Sequence, residues 1–479
     1  MSDVVFVNSP MLLYKNEAEK AQFKDHGGDE KSYYPLGLLY ISSYLKSHGH
    51  TVKIIDVAAE GKTLIDILKI IKMENPVLIG ISSMTTSIMS AVKLAQNIKD
   101  NYGDSFQIGL GGVHLCCDPS FISRFPIFDF GVSGEGEKTF EELLRRAKKG
   151  ERIKGLIQGE TIEDLDSLPF PARDLIQSDI YLREEQMNFE VPAAGILGSR
   201  GCPFSCSFCC IPTIGHKVRI RSPKNVVDEM ADVYDQCRGS YSFVDDCFIL
   251  NKSRIMEFCQ EIIDRKMKVK FVGSTRANTL DEEVVKALKR AGCTDLYFGV
   301  ESGSERIRNQ VIKKKVTDQQ IAEAVRLCRK YMILSNLFLM VGFPTETKEE
   351  MMDTVRIGKK VKADMIGIHS TIPFPGTEIF RYAVDHKMIP SDIADKYARG
   401  ELGPGFRNVW PLFVPENVTL KDLTDIKKKA YITFYLDIMW WVRRVRTWFK
   451  VSGKFKEDLK LFKIALHVFR TGGTKGQLS

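Results

Sequence analysis

Gly198-Ser199-Arg200-Gly201-Cys202-Pro203-Phe204-Ser205-Cys206-Ser207-Phe208-Cys209 places three cysteines at Cys-x3-Cys-x2-Cys spacing directly after the apolar run Ala193 to Leu197. Three thiolates on one short loop leave a bound metal group one protein ligand short. A structural zinc ion takes four ligands, normally with its second pair a loop or a helix away. An iron–sulfur cube is held by thiolates, and with three of them one iron stays open to a small molecule. Read by itself, the loop also admits a zinc site completed by Cys210 or Cys247.

Toward the carboxyl terminus a β/α series follows. Strands are expected at 241–244, 269–273, 295–300, 335–341 and 365–370, with helical stretches such as 282–291 and 318–330 between them. Repeated β/α units with polar loops after the strands predict a partial TIM-like barrel, the cysteine loop following its first strand. Polar or conformationally special residues gather at those strand ends: Asp245 and Asp246, Ser274 and Arg276, Gly299-Val300-Glu301-Ser302-Gly303, Met340-Val341-Gly342-Phe343-Pro344 and Pro373-Phe374-Pro375-Gly376-Thr377.

Toward the amino terminus a second series is legible, with strands at 3–8, 52–55, 77–81, 107–110 and 128–132 and helices at 36–47 and 85–99. It predicts a doubly wound, flavodoxin-like parallel sheet with its ligand at the carboxyl ends of the strands. Ser82-Ser83-Met84 and Gly111-Gly112-Val113-His114 end two of these strands, and Gly134-Glu135-Gly136-Glu137 opens a helix. The expected division is 1–150 for this domain, 151–190 for a connector marked by Leu168-Pro169-Phe170-Pro171-Ala172-Arg173-Asp174-Leu175, 191–400 for the barrel and 401–479 for a helical tail.

Taken in order, these segments resemble the radical S-adenosylmethionine (SAM) enzymes that carry a cobalamin-binding domain, over about residues 3 to 385. The resemblance implies a [4Fe–4S] cluster on Cys202, Cys206 and Cys209, with Phe208 beside the last of them. SAM would be positioned by Asp245 and Asp246, which stand where many family members have Gly-Gly-Glu, and by Ser274, Arg276, Glu301, Ser302 and Val341. Cobalamin would lie against Ser82, Ser83, Met84, Gly111, Gly112, His114 and Glu135. The loop Asn8 to Met11 lacks the Asp-x-His-x-x-Gly that supplies a cobalt ligand in other cobalamin domains, so cobalamin is expected without a protein histidine, and His114 reads more simply as a turn residue. The implied activity is abstraction of hydrogen from an unactivated carbon by a 5′-deoxyadenosyl radical, followed by methyl transfer, with ring formation as the alternative. A flavodoxin- or ferredoxin-type reductant is implied with it. From a different class, a non-catalytic cobalamin- or metal-binding sensor lacks a use for the SAM loops.

Eleven cysteines without a secretory leader predict a reduced, cytoplasmic setting. The last is Cys328, so no carboxyl-terminal cysteine-rich domain follows. Likeness to tRNA-methylthiolating enzymes is therefore confined to the barrel, and no nucleic-acid partner is expected. Residues 421–479 hold fourteen Lys and Arg against five Asp and Glu, leaving 55 against 56 elsewhere, so the net charge of +8 resides in the tail. Tyr431, Tyr435, Ile438, Val442, Val445 and Phe449 form one apolar stripe, and Phe455, Leu459, Phe462, Leu466 and Phe469 another. That spacing predicts two amphipathic helices. They either pack on the barrel or, with Trp440, Trp441, Trp448 and their basic neighbours, lie on an anionic membrane beside a lipid-like substrate.

Overall fold

The computed structural model describes residues 1–22, 34–181, 193–210, 217–403, 406–448 and 454–471. Six parallel strands, β1 (Val4–Asn8), β2 (Val52–Asp56), β3 (Leu78–Ser82), β4 (Gln107–Gly111), β5 (Phe130–Ser133) and β6 (Gly155–Gln158), form an amino-terminal sheet in the order β2-β1-β3-β4-β5-β6. Alternation along β1 shows why it is buried on both sides. Val5 and Val7 face Ile67, Ile71 and Leu94, whereas Val4 and Phe6 face Leu39, Phe140 and Leu143. The strand order reverses between β1 and β3, which opens a crevice at their carboxyl ends. One boundary is corrected: β6 lies in the stretch read from sequence as connector. Its residues are mostly exposed, so it carries no apolar alternation to announce a strand.

The second sheet begins at β7 (Ala194–Ile196). A short antiparallel ribbon of β8 (Ser199–Arg200) and β9 (Arg219–Ile220) follows, then β10 (Ser240–Phe243), β11 (Lys270–Thr275), β12 (Cys293–Glu301), β13 (Leu334–Val341) and β14 (Met365–Ser370). Its order, β14-β13-β12-β11-β10-β7, is sequential, and every pairing is parallel. Winding one way with right-handed crossovers places all the helices on one face, which makes an open six-stranded part of a barrel. Accordingly Leu337, Leu339, Ile366 and Ile368 are buried against Met351, Val355 and Ile357, while Phe338 on the opposite face is exposed.

The connector marker, whose role chemistry does not announce, is a joint. The Ala172 N–H donates to the Leu39 carbonyl at 3.1 Å, and Arg173 donates to the Gly195 carbonyl and to Glu229, both at 2.7 Å. The fully buried Glu229 also accepts from Arg221, which donates in turn to the Tyr40 hydroxyl and lies over the Phe170 ring. A buried carboxylate is tolerable only when paired. Here two arginines pair it and tie the first barrel strand to the amino-terminal domain.

The tail departs from the single first stripe. The helix Leu420–Tyr435 ends at a turn, and a separate helix, Ile438–Trp448, starts afterwards. Tyr435 exchanges hydrogen bonds with the backbone of Ile366 at 2.9 and 3.1 Å, Trp440 donates to the Asp364 carbonyl at 2.9 Å, and Arg444, 1 % exposed, is bridged to Asp458 at 2.7 Å. The tail therefore packs on the barrel, and the break turns Ile438, Met439, Val442 and Val445 outward. Phe449 lies outside the described residues, as do the side chains of Phe469 and Arg446. Among the described residues no helix is long and apolar enough to cross a membrane.

Candidate functional site

The β8–β9 ribbon forms the stem of the cysteine loop. Gly201 at its base has φ +93°, and a Cβ there would lie 2.6 Å from the Lys217 carbonyl oxygen, so the close return of the chain requires glycine. At the far side the Ser207 N–H donates to the Ile312 carbonyl at 3.1 Å, and the Ile379 N–H donates to the Ser207 carbonyl at 3.2 Å. The Cys209 N–H closes a turn on the Cys206 carbonyl at 3.0 Å, and Phe208 packs toward Phe343. Cys202, Cys206 and Cys209 are all partly accessible. Among the described residues no three His, Cys, Asp or Glu side chains are gathered as a ready site for a single metal ion. Three accessible thiols on one anchored loop suit a polynuclear group larger than one ion, and the donor set fits an iron–sulfur cube. Cys247, beside the two aspartates, is buried and directed at Thr275 and Ile249, so it is a packing residue. Cys210 reaches the Pro375 carbonyl and Cys117.

The two aspartates part company. Asp245 is buried and accepts from the Gly198 N–H at 2.9 Å and from the Ser199 hydroxyl; burial pushes its carboxyl up to about 6. It braces the entry to the cysteine loop, which corrects the expectation of direct contact with SAM. Asp246 is exposed beside the loop, where the Gly201 N–H meets it. Glu301 sits at φ +67° beside a β-bulge, buried, with Lys314 Nζ at 2.7 Å. The buried Ser302 hydroxyl accepts from the Ser304 N–H at 3.1 Å and meets Thr354 at 3.3 Å, so it shapes the turn and is not presented to a ligand. Val341 ends β13 fully buried, its carbonyl accepting from Thr371, and the half-buried Ser274 accepts from the Phe248 N–H through its carbonyl. Arg276 faces the cysteine loop.

At the carboxyl ends of the first sheet, Ser82 and Gly111 are register partners, and the Ser83 N–H donates to the Gly111 carbonyl at 3.0 Å. Gly112 has φ +94°, and a Cβ there would meet the Ser83 oxygen at 2.5 Å and nitrogen at 2.7 Å. Two turns in such contact leave Met84, 57 % exposed, and Val113, 47 % exposed, at the strand ends. This apolar, side-chain-poor rim fits a large flat ligand such as cobalamin. His114 does not join it: the ring is fully buried, 3.1 Å from the Thr85 hydroxyl and edge-on to Phe121. Burial lowers its pKa to about 4, below the ordinary value near 6.5. The unfolded chain thus takes up this proton first, and His114 is expected to withdraw up to about 3 kcal/mol of stability as pH falls from 6.5 to 4. Thermal melts across that interval should show a smaller loss in His114→Gln, and equal slopes would refute the assignment.

Glu135 is also reassigned. It is bridged to Arg200 at 3.1 Å and Arg219 at 2.7 Å, and Arg200 bridges Glu137 at 2.6 Å. Burial alone would raise the Glu135 carboxyl, but the Arg219 hydrogen bond and the Arg200 charge hold it below its ordinary value. The stem of the cysteine loop is thereby clamped to the helix start that follows β5. Arg219 gives no sequence signal of its own, since the charge on one residue of a two-residue strand reads as surface.

The chain matches the Radical SAM superfamily over residues 196–357 and the B12 binding domain over residues 30–144. It is 33 % identical over 419 residues to an uncharacterized methyltransferase, PH0819, of Pyrococcus horikoshii, covering 84 % of this chain and 88 % of that one. It is 26 % identical over 429 residues to an anaerobic magnesium-protoporphyrin IX monomethyl ester cyclase of Cereibacter sphaeroides, covering 85 % and 67 %. Among solved structures, the cobalamin-dependent S-adenosylmethionine radical enzyme OxsB, with aqua-cobalamin and S-adenosylmethionine bound, shares the fold at TM-score 0.68 and 18 % identity, over 98 % of this chain and 71 % of that one.

Proposed function

Because the chain belongs to the radical SAM enzymes that carry a B12-binding domain, we propose that it functionalises an unactivated carbon of a small molecule, with methyl transfer as the outcome. The observation that carries this reading is the clamp of Glu135 and Glu137 on Arg200 and Arg219, which joins the stem of the cysteine loop to the domain bearing the flat-ligand rim. Two sites fixed to each other in this way suit chemistry that passes from one to the other. Cys202, Cys206 and Cys209 would hold the [4Fe–4S] cluster, and Ser82, Ser83, Met84, Gly111 and Gly112 would border cobalamin. When bound, the cluster with SAM supplies a 5′-deoxyadenosyl radical, and cobalamin supplies a methyl group.

The chain's own contribution is positioning. Asp246, exposed at the loop, would face the SAM amino group, and Glu301, held in place by Lys314, would present a fixed carboxylate to it. The half-buried Ser274 would line the approach, and the fully buried Val341 would shape the strand end behind it. Phe208 and Phe343 fill the space behind the loop and keep water from that side. Asp245 fixes the backbone at Gly198 and Ser199. A one-electron donor of the flavodoxin or ferredoxin type would complete the cycle.

The similarity to a cyclase across most of the chain keeps ring formation as the second reading. Incubation with SAM carrying an isotopically labelled methyl group is expected to place the label on a carbon of the product; a product of unchanged carbon count would favour ring formation or oxidation instead. A lipid-like substrate and peripheral contact with an anionic membrane are the finer part of the proposal, supported by the outward Ile438, Met439, Val442 and Val445 on a basic tail. Cosedimentation with phosphatidylglycerol vesicles should be lost in Ile438→Glu/Val442→Glu, and equal sedimentation of both proteins, or of neither, would remove it.

A further inference from the structure

The geometry points to Arg276 as the charge partner of the cysteine loop, a positioning residue that raises the reduction potential of the cluster held there. Arg276 follows β11 and is 6 % exposed. Its guanidinium lies over Phe204, with the central carbon 3.7 Å from the ring centroid. One terminal nitrogen donates to the Lys314 carbonyl, and the other is directed at Cys206 Sγ at 3.9 Å. Among the described residues no carboxylate is salt-bridged to it, and Glu301 is paired with Lys314 at 2.7 Å. A buried cation without an anion is costly. The group facing this one is a sulfur that carries negative charge only as a thiolate, which is the form that binds iron.

Two consequences follow from that placement. The contact with the half-buried Phe204, between Cys202 and Cys206, fixes the loop's shape with a cation–π contribution. The positive charge beside a thiolate stabilises the reduced cluster over the oxidised one, since reduction adds an electron to a group already negative; hydrogen bonds to cluster sulfurs act in the same direction. This differs from the sequence-based expectation that Arg276 positions SAM, because the terminal nitrogen not bonded to Lys314 is directed at Cys206 and Nε at Asn278.

The inference rests on the cysteines holding the cluster, and the test separates the two. The full chain is reconstituted anaerobically, its iron is counted, and its midpoint potential is followed by electron paramagnetic resonance during titration with dithionite in the absence of SAM. Absence of iron in the unsubstituted protein would refute the cluster itself. With iron present, Arg276→Gln is expected to shift the potential to more negative values, and Arg276→Lys to leave it close to the starting value. If the glutamine variant cannot retain iron, retention by the lysine variant alone carries the charge pairing of Arg276 with the loop. An unshifted potential in Arg276→Gln, loss of iron from both variants, or a shift that appears only after SAM is added would overturn it, the last assigning Arg276 to SAM.

Discussion

Replacing Cys206 by alanine is expected to remove the iron and sulfide of the cluster and to reduce SAM cleavage, measured as 5′-deoxyadenosine, to background, with the rest of the chain still folded. Cys206 is partly accessible, so its loss opens no cavity in the core. The loop keeps its other supports, namely the bonds of Ser207 to Ile312 and Ile379 and the packing of Phe208 on Phe343. What disappears is one of three thiolates in a set with no spare, and cluster assembly has no substitute for it. Cys202→Ala and Cys209→Ala should behave alike. Cys247→Ala should keep iron and cleavage, since that thiol is enclosed against Thr275. Cys210→Ala is the informative control, because Cys210 lies next to Cys209 and was the alternative fourth donor for zinc. Tight zinc without iron in the unsubstituted protein, lost together with Cys210, would restore the zinc loop.

The parts of the molecule that sequence reveals are those whose chemistry is local. Cysteine spacing, strand-end glycines and β/α alternation each depend on residues a few positions apart, and the structure places them as expected. What stays hidden depends on partners far along the chain. Arg173 and Glu229 meet across 56 residues, and Glu135 and Arg219 across 84; a lone charged residue cannot announce that it is buried against another domain. For the same reason Asp245 and Asp246 look equivalent as a pair, although one is committed to Gly198 and Ser199 and the other is exposed. The tail shows the converse error. Helical periodicity runs through Leu436 and Asp437, but Tyr435 and Trp440 can reach the backbone at Ile366 and Asp364 only if the helix breaks between them. Tertiary hydrogen bonds overrode an uninterrupted pattern.

Gly112→Val is expected to weaken cobalamin binding at least tenfold while leaving iron content and SAM binding unchanged. The backbone at Gly112, with φ +94° and ψ −180°, lies in a region that essentially only glycine occupies, so any side chain is strained there by about 1–3 kcal/mol. Contact compounds the strain, because the new Cβ would stand 2.5 Å from the Ser83 oxygen and 2.7 Å from its nitrogen, both backbone atoms that cannot rotate away. The turn after β4 must therefore separate from the turn after β3. That separation breaks the Ser83 N–H bond to the Gly111 carbonyl and displaces Met84 and Val113, the apolar rim of the groove. Every 1.4 kcal/mol is a factor of ten in affinity, so a shift that relieves about 1.4 kcal/mol of that strain in the unbound protein gives the expected loss. The cysteine loop hangs from a different sheet and should load normally, provided the clamp of Glu135 on Arg219 stays closed. In the unsubstituted protein, titration should give a base-off cobalamin spectrum without histidine ligation, because Asn8 to Met11 contains no histidine and His114 is sealed beneath the turn. A histidine-ligated cobalt signal, or a Gly112→Val protein that binds cobalamin as tightly as its parent, would show that the groove lies elsewhere.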